Sequence, residues 1–286
     1  MKNQETLINW LFATGALRAA PSDQPFWYTS GTLGPYYINT HFLYGSEEAA
    51  RFLLGQIDEL SPDPLRMATQ LPDLIDHQAE ISPIYHDLCG MITDKLHGLA
   101  CDAISGGERR DFFFSIQTAR LLGKPHVSIM KNGDAVYSTS NFSRHEILED
   151  GDLRGLQVIH VADLVTEASS YLRTWLPVLA RLGGVMPWTL AVVDRLQGGR
   201  AALAAAGTEL ISLVEIMPTL FDQAEAAGLI DQPQNQQIHR FMKDPDAYMR
   251  GFLSEHPDFL AGQLALGGKN SERAQLCLDR GYGHGQ

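Results

Sequence analysis

Asp163 closes an apolar run, Leu156 to Ala162, and is followed by Thr166, Glu167, Ala168, Ser169 and Ser170. A carboxylate in that place can accept hydrogen bonds from sugar hydroxyls or hold a hydrated Mg²⁺. Small hydroxyls and loop amides at the start of a helix can hold a phosphate, because unsatisfied N–H groups and the helix dipole attract an anion. The same hydroxyls can simply cap a helix, so these residues alone leave both uses open. A second charged group, Glu108, Arg109, Arg110 and Asp111, follows the pair Gly106–Gly107. His160, inside the apolar run, reads as a core histidine with one nitrogen satisfied. Phe112, Phe113 and Phe114 read as helix packing. A metal site built from His77, His86 and His97 is disfavoured, since His86 and His97 would lie about three helical turns apart.

The elements that must position these residues alternate in type. The spacing predicts strands over 101–105, 125–130, 156–162, 187–193 and 209–215. Helices are predicted over 84–98, 112–122, 168–183 and 198–206. Strands separated by helices argue for a parallel sheet flanked by helices, with ligands at the carboxyl ends of its strands. Before this region, residues 1–60 carry two helical patterns around a turn-rich aromatic segment. The first uses Leu7, Ile8, Leu11 and Leu17; the second opens at Ser46 with Glu47 and Glu48 in its first turn. Residues 217–286 lose the strand signal and read as a helical C-terminal extension. The domain expectation is therefore 1–216, including an N-terminal hood over 1–60, and 217–286. The last residues, GYGHGQ, are expected to fray.

Composition bounds the function. The chain has 286 residues, 44% hydrophobic and 20% charged, which is ordinary globular usage. Lys and Arg number 22 against 34 Asp and Glu, a net charge of −12. That balance argues against nucleic-acid binding, which needs a basic face. It leaves room for an anionic small molecule in a local pocket. The three cysteines lack metal spacing. No secretory signal or membrane span is legible, so a cytoplasmic location is expected.

Four segments carry a resemblance. Val158 to Val161, Ala162, Asp163 and Thr166 follow the order of four apolar residues, two acids and a Thr-rich loop. FWYTSGTLGPYYIN (26–39) supplies Ser30, Gly31, Pro35, Tyr36, Tyr37 and Asn39. The segment 102–131 supplies Gly106 and Lys131, and 191–213 supplies Asp194, Arg195, Gly198 and Gly199. In this order they resemble the orotate phosphoribosyltransferase branch of the type I phosphoribosyltransferases, over roughly residues 5–216. The resemblance implies a pentosyl-transferring enzyme of pyrimidine nucleotide synthesis, moving ribose 5-phosphate from phosphoribosyl pyrophosphate to orotate or a related base. It implies substrate-bound Mg²⁺ and a homodimer. By it, Thr166, Ser169 and Ser170 would hold the 5-phosphate, Asp163 the ribose hydroxyls, and Lys131 the pyrophosphate. Tyr36 and Tyr37 would face the base, as would Asp194 and Arg195, unless these last two form a structural ion pair. Residues 132–150 would be a mobile loop.

The departures share a direction. Ala162 replaces the first acid, Glu167 a loop Thr and Ala168 a loop Gly. Thr29 replaces a Lys, and Thr32 and Met130 each replace an Arg. The loop 132–150 has Arg144 and His145 but no Lys-x-x-Lys spacing. A carboxylate ~4 Å from a phosphate costs about 4 kcal/mol at an intermediate dielectric unless it is protonated or turned away. Each lost charge-assisted contact is worth about 1.5–3 kcal/mol. Arg109 or Arg110 could compensate as an anion contact. The sequence thus supports two readings: an active transferase, or a catalytically impaired relative binding a less phosphorylated ligand in a regulatory or binding role.

Overall fold

A computed structural model describes residues 4–282. In chain order its strands are β1 (Leu17–Ala19), β2 (Phe26–Trp27), β3 (Leu33–Gly34), β4 (Tyr36–Ile38), β5 (Ala103–Gly107), β6 (His126–Ile129), β7 (Ala135–Ser138), β8 (His145–Ile147), β9 (Gln157–Val165), β10 (Val185–Asp194) and β11 (Glu209–Glu215). Its helices are α1 (Gln4–Ala13), α2 (Glu47–Leu60), α3 (Pro64–Ile81), α4 (Pro83–Leu96), α5 (Phe112–Leu122), α6 (Leu176–Leu182), α7 (Gly199–Ala205), α8 (Pro218–Ala226), α9 (Gln232–Lys243), α10 (Pro245–Glu255), α11 (Phe259–Leu266) and α12 (Gly268–Asp279).

Two compact units form. Among the described residues, one comprises 4–16 and 40–217, the other 17–39 and 218–282. Segment 17–39, placed with the hood by sequence, groups with the C-terminal helices.

The first unit is built on a seven-stranded sheet of order β11-β10-β9-β5-β6-β7-β8. The strands from β11 to β6 run parallel, and β7 and β8 add an antiparallel edge. β9 is a strand because a run of apolar residues is buried on both faces at the centre of the sheet. It runs past the expected end, since Leu164 and Val165 pair with Val193 and Asp194 of β10. Asp163 therefore lies in the strand rather than in the turn after it.

The segment 132–150, expected as a mobile loop, contains β7 and β8. Ala135, Val136 and Ser138 are buried where β7 pairs with β6, and such inward-facing residues fasten the hairpin to the sheet. Leu17, expected in the first helix, lies in β1, because Gly15 adopts a positive φ of 70° after α1. Ser46 caps α2 as expected, accepting the Ala49 amide at 3.1 Å. The apolar spacing of Met67, Leu71 and Ile75 belongs to α3, which was not among the expected helices. Phe112, Phe113 and Phe114 are all fully buried in α5.

In the second unit β1 pairs antiparallel with β4, and β2 with β3. Leu33 packs with Met249, Phe252, Leu260, Ala274 and Cys277 from the C-terminal helices. Trp27 stacks on Phe259 at 5.8 Å and donates its indole N–H to Gln263 at 3.0 Å. The expected fraying of GYGHGQ falls largely outside the described residues.

Candidate active site

β5 and β9 are neighbours, but the chain leaves them toward opposite sides of the sheet, β5 to β6 and β9 to β10. Such a switch point opens a crevice at the strands' carboxyl ends. Here it holds a cleft of ≈ 390 Å³ lined by residues 108–111, 162–171 and Trp175. The sequence candidates Arg109, Arg110, Asp163, Thr166, Ser169 and Ser170 are all brought to it.

The loop 166–170 forms one wall. Ala168 takes a positive φ of 58° where the sequence pattern would carry Gly, so the turn is made despite the methyl group. Helical backbone begins at Ser169 and passes through a π turn at Tyr171–Trp175 into α6. Among the described residues the hydroxyls of Thr166, Ser169 and Ser170 have no hydrogen-bond partner. Glu167 is exposed and lines the cleft, while Ala168 beside it is buried. From behind, the Gly199 amide donates to the Thr166 carbonyl at 2.9 Å. A Cβ at Gly199 would lie 2.6 Å from that carbonyl oxygen and 2.4 Å from Val165, which explains a glycine there.

The turn 107–111 forms the other wall, and Asp111 anchors it. One Asp111 oxygen accepts the Asp163 amide at 3.1 Å. The other accepts the Gly107 amide at 3.2 Å and lies 3.2 Å from His160 Nε2. His160 Nδ1 in turn lies 3.0 Å from Ser105 Oγ. Both nitrogens of this core histidine are therefore satisfied, one more than the sequence suggested. The Ser105–His160–Asp111 chain has the residue types of a hydrolytic triad, but Ser105 and His160 are fully buried. No substrate can reach that serine, and the chain instead fixes one end of the cleft. Trp175 stacks on His160 at 6.0 Å and covers Gly107, where a Cβ would come within 2.2 Å of its ring.

Asp163 is 8% exposed. Burial and the neighbouring Asp111 carboxylate push it up to about 7, against the pull of the Arg110 guanidinium.

Most other charges at the cleft are already matched. Arg109 pairs with Asp58 of α2. Glu108 accepts the Lys131 amide at 3.0 Å and the Ser61 hydroxyl at 3.2 Å, and holds Lys131 Nζ at 3.6 Å. Lys131 itself is exposed and lies outside the cleft lining. Arg110 makes no hydrogen bond or ion pair among the described residues. Nearby His41 is pushed down to about 3 by burial and by the charges of Arg110 and Arg109, so it adds no positive charge.

The remaining candidates lie elsewhere. Asp194 is fully buried and bonds the Leu196 amide at 2.8 Å and Arg200 at 3.1 Å. The ion pair considered between Asp194 and Arg195 is thus made with Arg200, which also meets Glu215 at 2.8 Å. Arg195 donates its amide to Val165 at 2.9 Å. Tyr36 and Tyr37 belong to the second unit, where Tyr36 packs against Phe221 at 5.1 Å and Phe241 at 5.7 Å. Tyr37 is 39% exposed beside Phe26 and Tyr28.

Sequence reasoning did not single out Asp111 as an anchor, nor Tyr171 and Trp175 as cleft residues. The acid closing the GGERRD turn was the available signal for the first. The aromatics at 171 and 175 sit four apart, one face of a helix, and read equally well as core.

These features define a fold class. No protein-family profile matches the chain. Among solved structures it resembles UMP synthase from Leishmania donovani, with a TM-score of 0.57 and 15% identity, over 85% of this chain and 42% of that one. It also resembles orotate phosphoribosyltransferase from Francisella tularensis, with a TM-score of 0.52 and 10% identity, over 83% of this chain and 97% of that one. The chain has the type I phosphoribosyltransferase fold. In sequence it is 31% identical over 100 residues to the curated adenine phosphoribosyltransferase of Butyrivibrio fibrisolvens, covering 31% of this chain. The match spans about half of that relative, 53% of its length.

Proposed function

We propose that the cleft binds a 5-phosphorylated ribose and that the chain transfers it from phosphoribosyl pyrophosphate to a nucleobase nitrogen. The observation that carries this reading is one juxtaposition. A buried acid at the end of the central strand leads directly into a loop of unpartnered hydroxyls, facing a turn that carries two arginines. In the proposed reaction the bond from the ribose anomeric carbon to pyrophosphate breaks and the bond to the base nitrogen forms. Positive charge develops on the ribose, so positioning and charge placement supply the catalysis.

Asp163 would accept the ribose hydroxyls, and its negative form would favour the cationic sugar. Thr166, Ser169 and Ser170 would donate to the 5-phosphate. Arg110 would meet the pyrophosphate, with Arg109 and Lys131 reaching it only by leaving their carboxylate partners. Trp175 and Tyr171 would exclude water from the floor. Among the described residues no group of three or more His, Cys, Asp or Glu could hold a metal ion. Mg²⁺ would therefore be held mainly by the substrate's own oxygens, neutralising the leaving pyrophosphate.

The base is orotate in one version of the reading and adenine in the other, as the names of the similar proteins suggest. A homodimer belongs to the same reading. No described helix is long and apolar enough to cross a membrane. The second reading, a binding protein without turnover, is favoured by Ala162 and by the committed state of Arg109 and Lys131.

Calorimetric titration with phosphoribosyl pyrophosphate and Mg²⁺, followed by product assays with orotate and with adenine, tests the proposal. Micromolar binding, near about −8 kcal/mol, with nucleotide formation supports transfer. Binding without product supports the second reading. No binding by the folded protein removes the transferase reading and leaves a relative that binds a different, less phosphorylated ligand.

A further inference from the structure

Arg109 lines the cleft, yet its guanidinium is held by a residue that does not. Its partner is Asp58 on α2, outside the cleft lining. The two side chains are 32% and 55% exposed, so the pair sits in water at the rim. Lys131 is similarly engaged by Glu108, which leaves Arg110 as the cleft cation with no carboxylate partner among the described residues. A pyrophosphate group needs several cationic donors, and a single ribose phosphate is served by the hydroxyls and amides of residues 166–170.

We propose that Asp58 is a specificity-determining counter-charge that competes with pyrophosphate-type anions for Arg109. This inference rests on the reading of the cleft as a phosphoribosyl site. A guanidinium can bind a carboxylate or a phosphate in the same forked geometry. Asp58 therefore occupies the donors that the anion would use, and binding must displace it. The displacement is small because exposed ion pairs are weak. Asp58 thus lowers affinity for the diphosphate end of a ligand while leaving the monophosphate end alone.

The test uses the full chain with Asp58→Asn, and with Glu59→Gln as a control that removes an exposed negative charge from the next position of the same helix. Each is titrated with inorganic pyrophosphate and with ribose 5-phosphate, after a thermal melt shows it is folded. Asp58→Asn is expected to tighten pyrophosphate binding about two- to fivefold and to leave ribose 5-phosphate unchanged. Glu59→Gln is expected to change neither. Pyrophosphate binding seen only with Asp58→Asn also supports the inference. An equal gain from Glu59→Gln, or unchanged pyrophosphate binding beside intact ribose 5-phosphate binding, overturns it and leaves the functional reading standing. Failure of every form to bind either anion removes the functional reading and this inference with it.

Discussion

The two walls of the cleft differ in how their polar groups are spent. The turn 107–111 is engaged at all but one of its charged residues: Asp111 collects two amides and His160, Glu108 holds Lys131 and Ser61, and Arg109 is paired, while Arg110 has no hydrogen-bond or ion-pair partner among the described residues. The loop 166–170 has hydroxyls without partners among the described residues, and its one carboxylate, Glu167, is exposed at the cleft. Buried polar groups cost free energy unless satisfied, so the first wall acts as internal scaffold. Exposed, unsatisfied donors are free to meet an external anion, so under the proposed function the second wall would be the receptor. The difference teaches that charge near a site does not by itself make a ligand contact. What matters is whether a protein partner has already taken it.

If the comparison is right, changes on the receptor side alter binding and changes on the scaffold side alter stability. The largest effect is expected from Asp163→Ala, which should weaken phosphoribosyl pyrophosphate binding roughly 10- to 100-fold through loss of a charge-assisted contact. Calorimetry checks this, and undiminished affinity would move the ribose elsewhere. Asp111→Asn should lower unfolding free energy by about 1–3 kcal/mol, since an amide offers one acceptor where three donors converge. Urea titration measures it, and an unchanged midpoint would deny the turn its scaffold role.

A third expectation concerns pH. Asp163 titrates near 3.8 when unfolded and about 7 when folded. The folded state holds that proton more tightly, so the contribution of Asp163 makes stability fall as pH rises between those values. Asp163→Asn should remove that part of the fall between pH 5 and pH 8. An unaltered pH dependence in urea unfolding would contradict the buried, raised carboxyl. The smallest effects belong to single hydroxyls: Ser169→Ala or Ser170→Ala should each cost about two- to tenfold in affinity, by ordinary hydrogen-bond strength, with little change in melting temperature. A large melting shift with unchanged affinity would reverse the comparison.

Much of the framework was legible in the sequence. β9 announces itself through a doubly buried apolar run, and Gly198–Gly199 marks the turn into α7, while Gly106–Gly107 proves to be the end of β5. The cradle residues Thr166, Ser169 and Ser170 could be named because strand, loop and helix follow one another along the chain. What escaped depends on meetings across the fold. Asp58 and Arg109 are brought together only when α2 packs beside the β5–α5 turn. Asp194 turns to Arg200 because α7 packs on β11, whose Leu210, Ser212 and Glu215 also hold that guanidinium. The hairpin β7–β8 escaped because its alternation is short, and a resemblance suggested a loop there. Tyr36 shows the limit of motif matching: its place in the pattern pointed to a base, and its neighbours are Phe221 and Phe241.

The grouping of residues 17–39 with 218–282 has a consequence for how the chain is made. A ribosome releases residues 17–39 well before residues 218–282, so Leu33 and Tyr36 must wait for α8 to α12 before their apolar surface is covered. At ~5–20 residues per second that wait is on the order of ten seconds or more. During it the sheet of the first unit can form while this ribbon stays open to chaperones or to a neighbouring nascent chain. Helices α8 to α12 are thus the event that closes an exposure opened when residues 17–39 emerge.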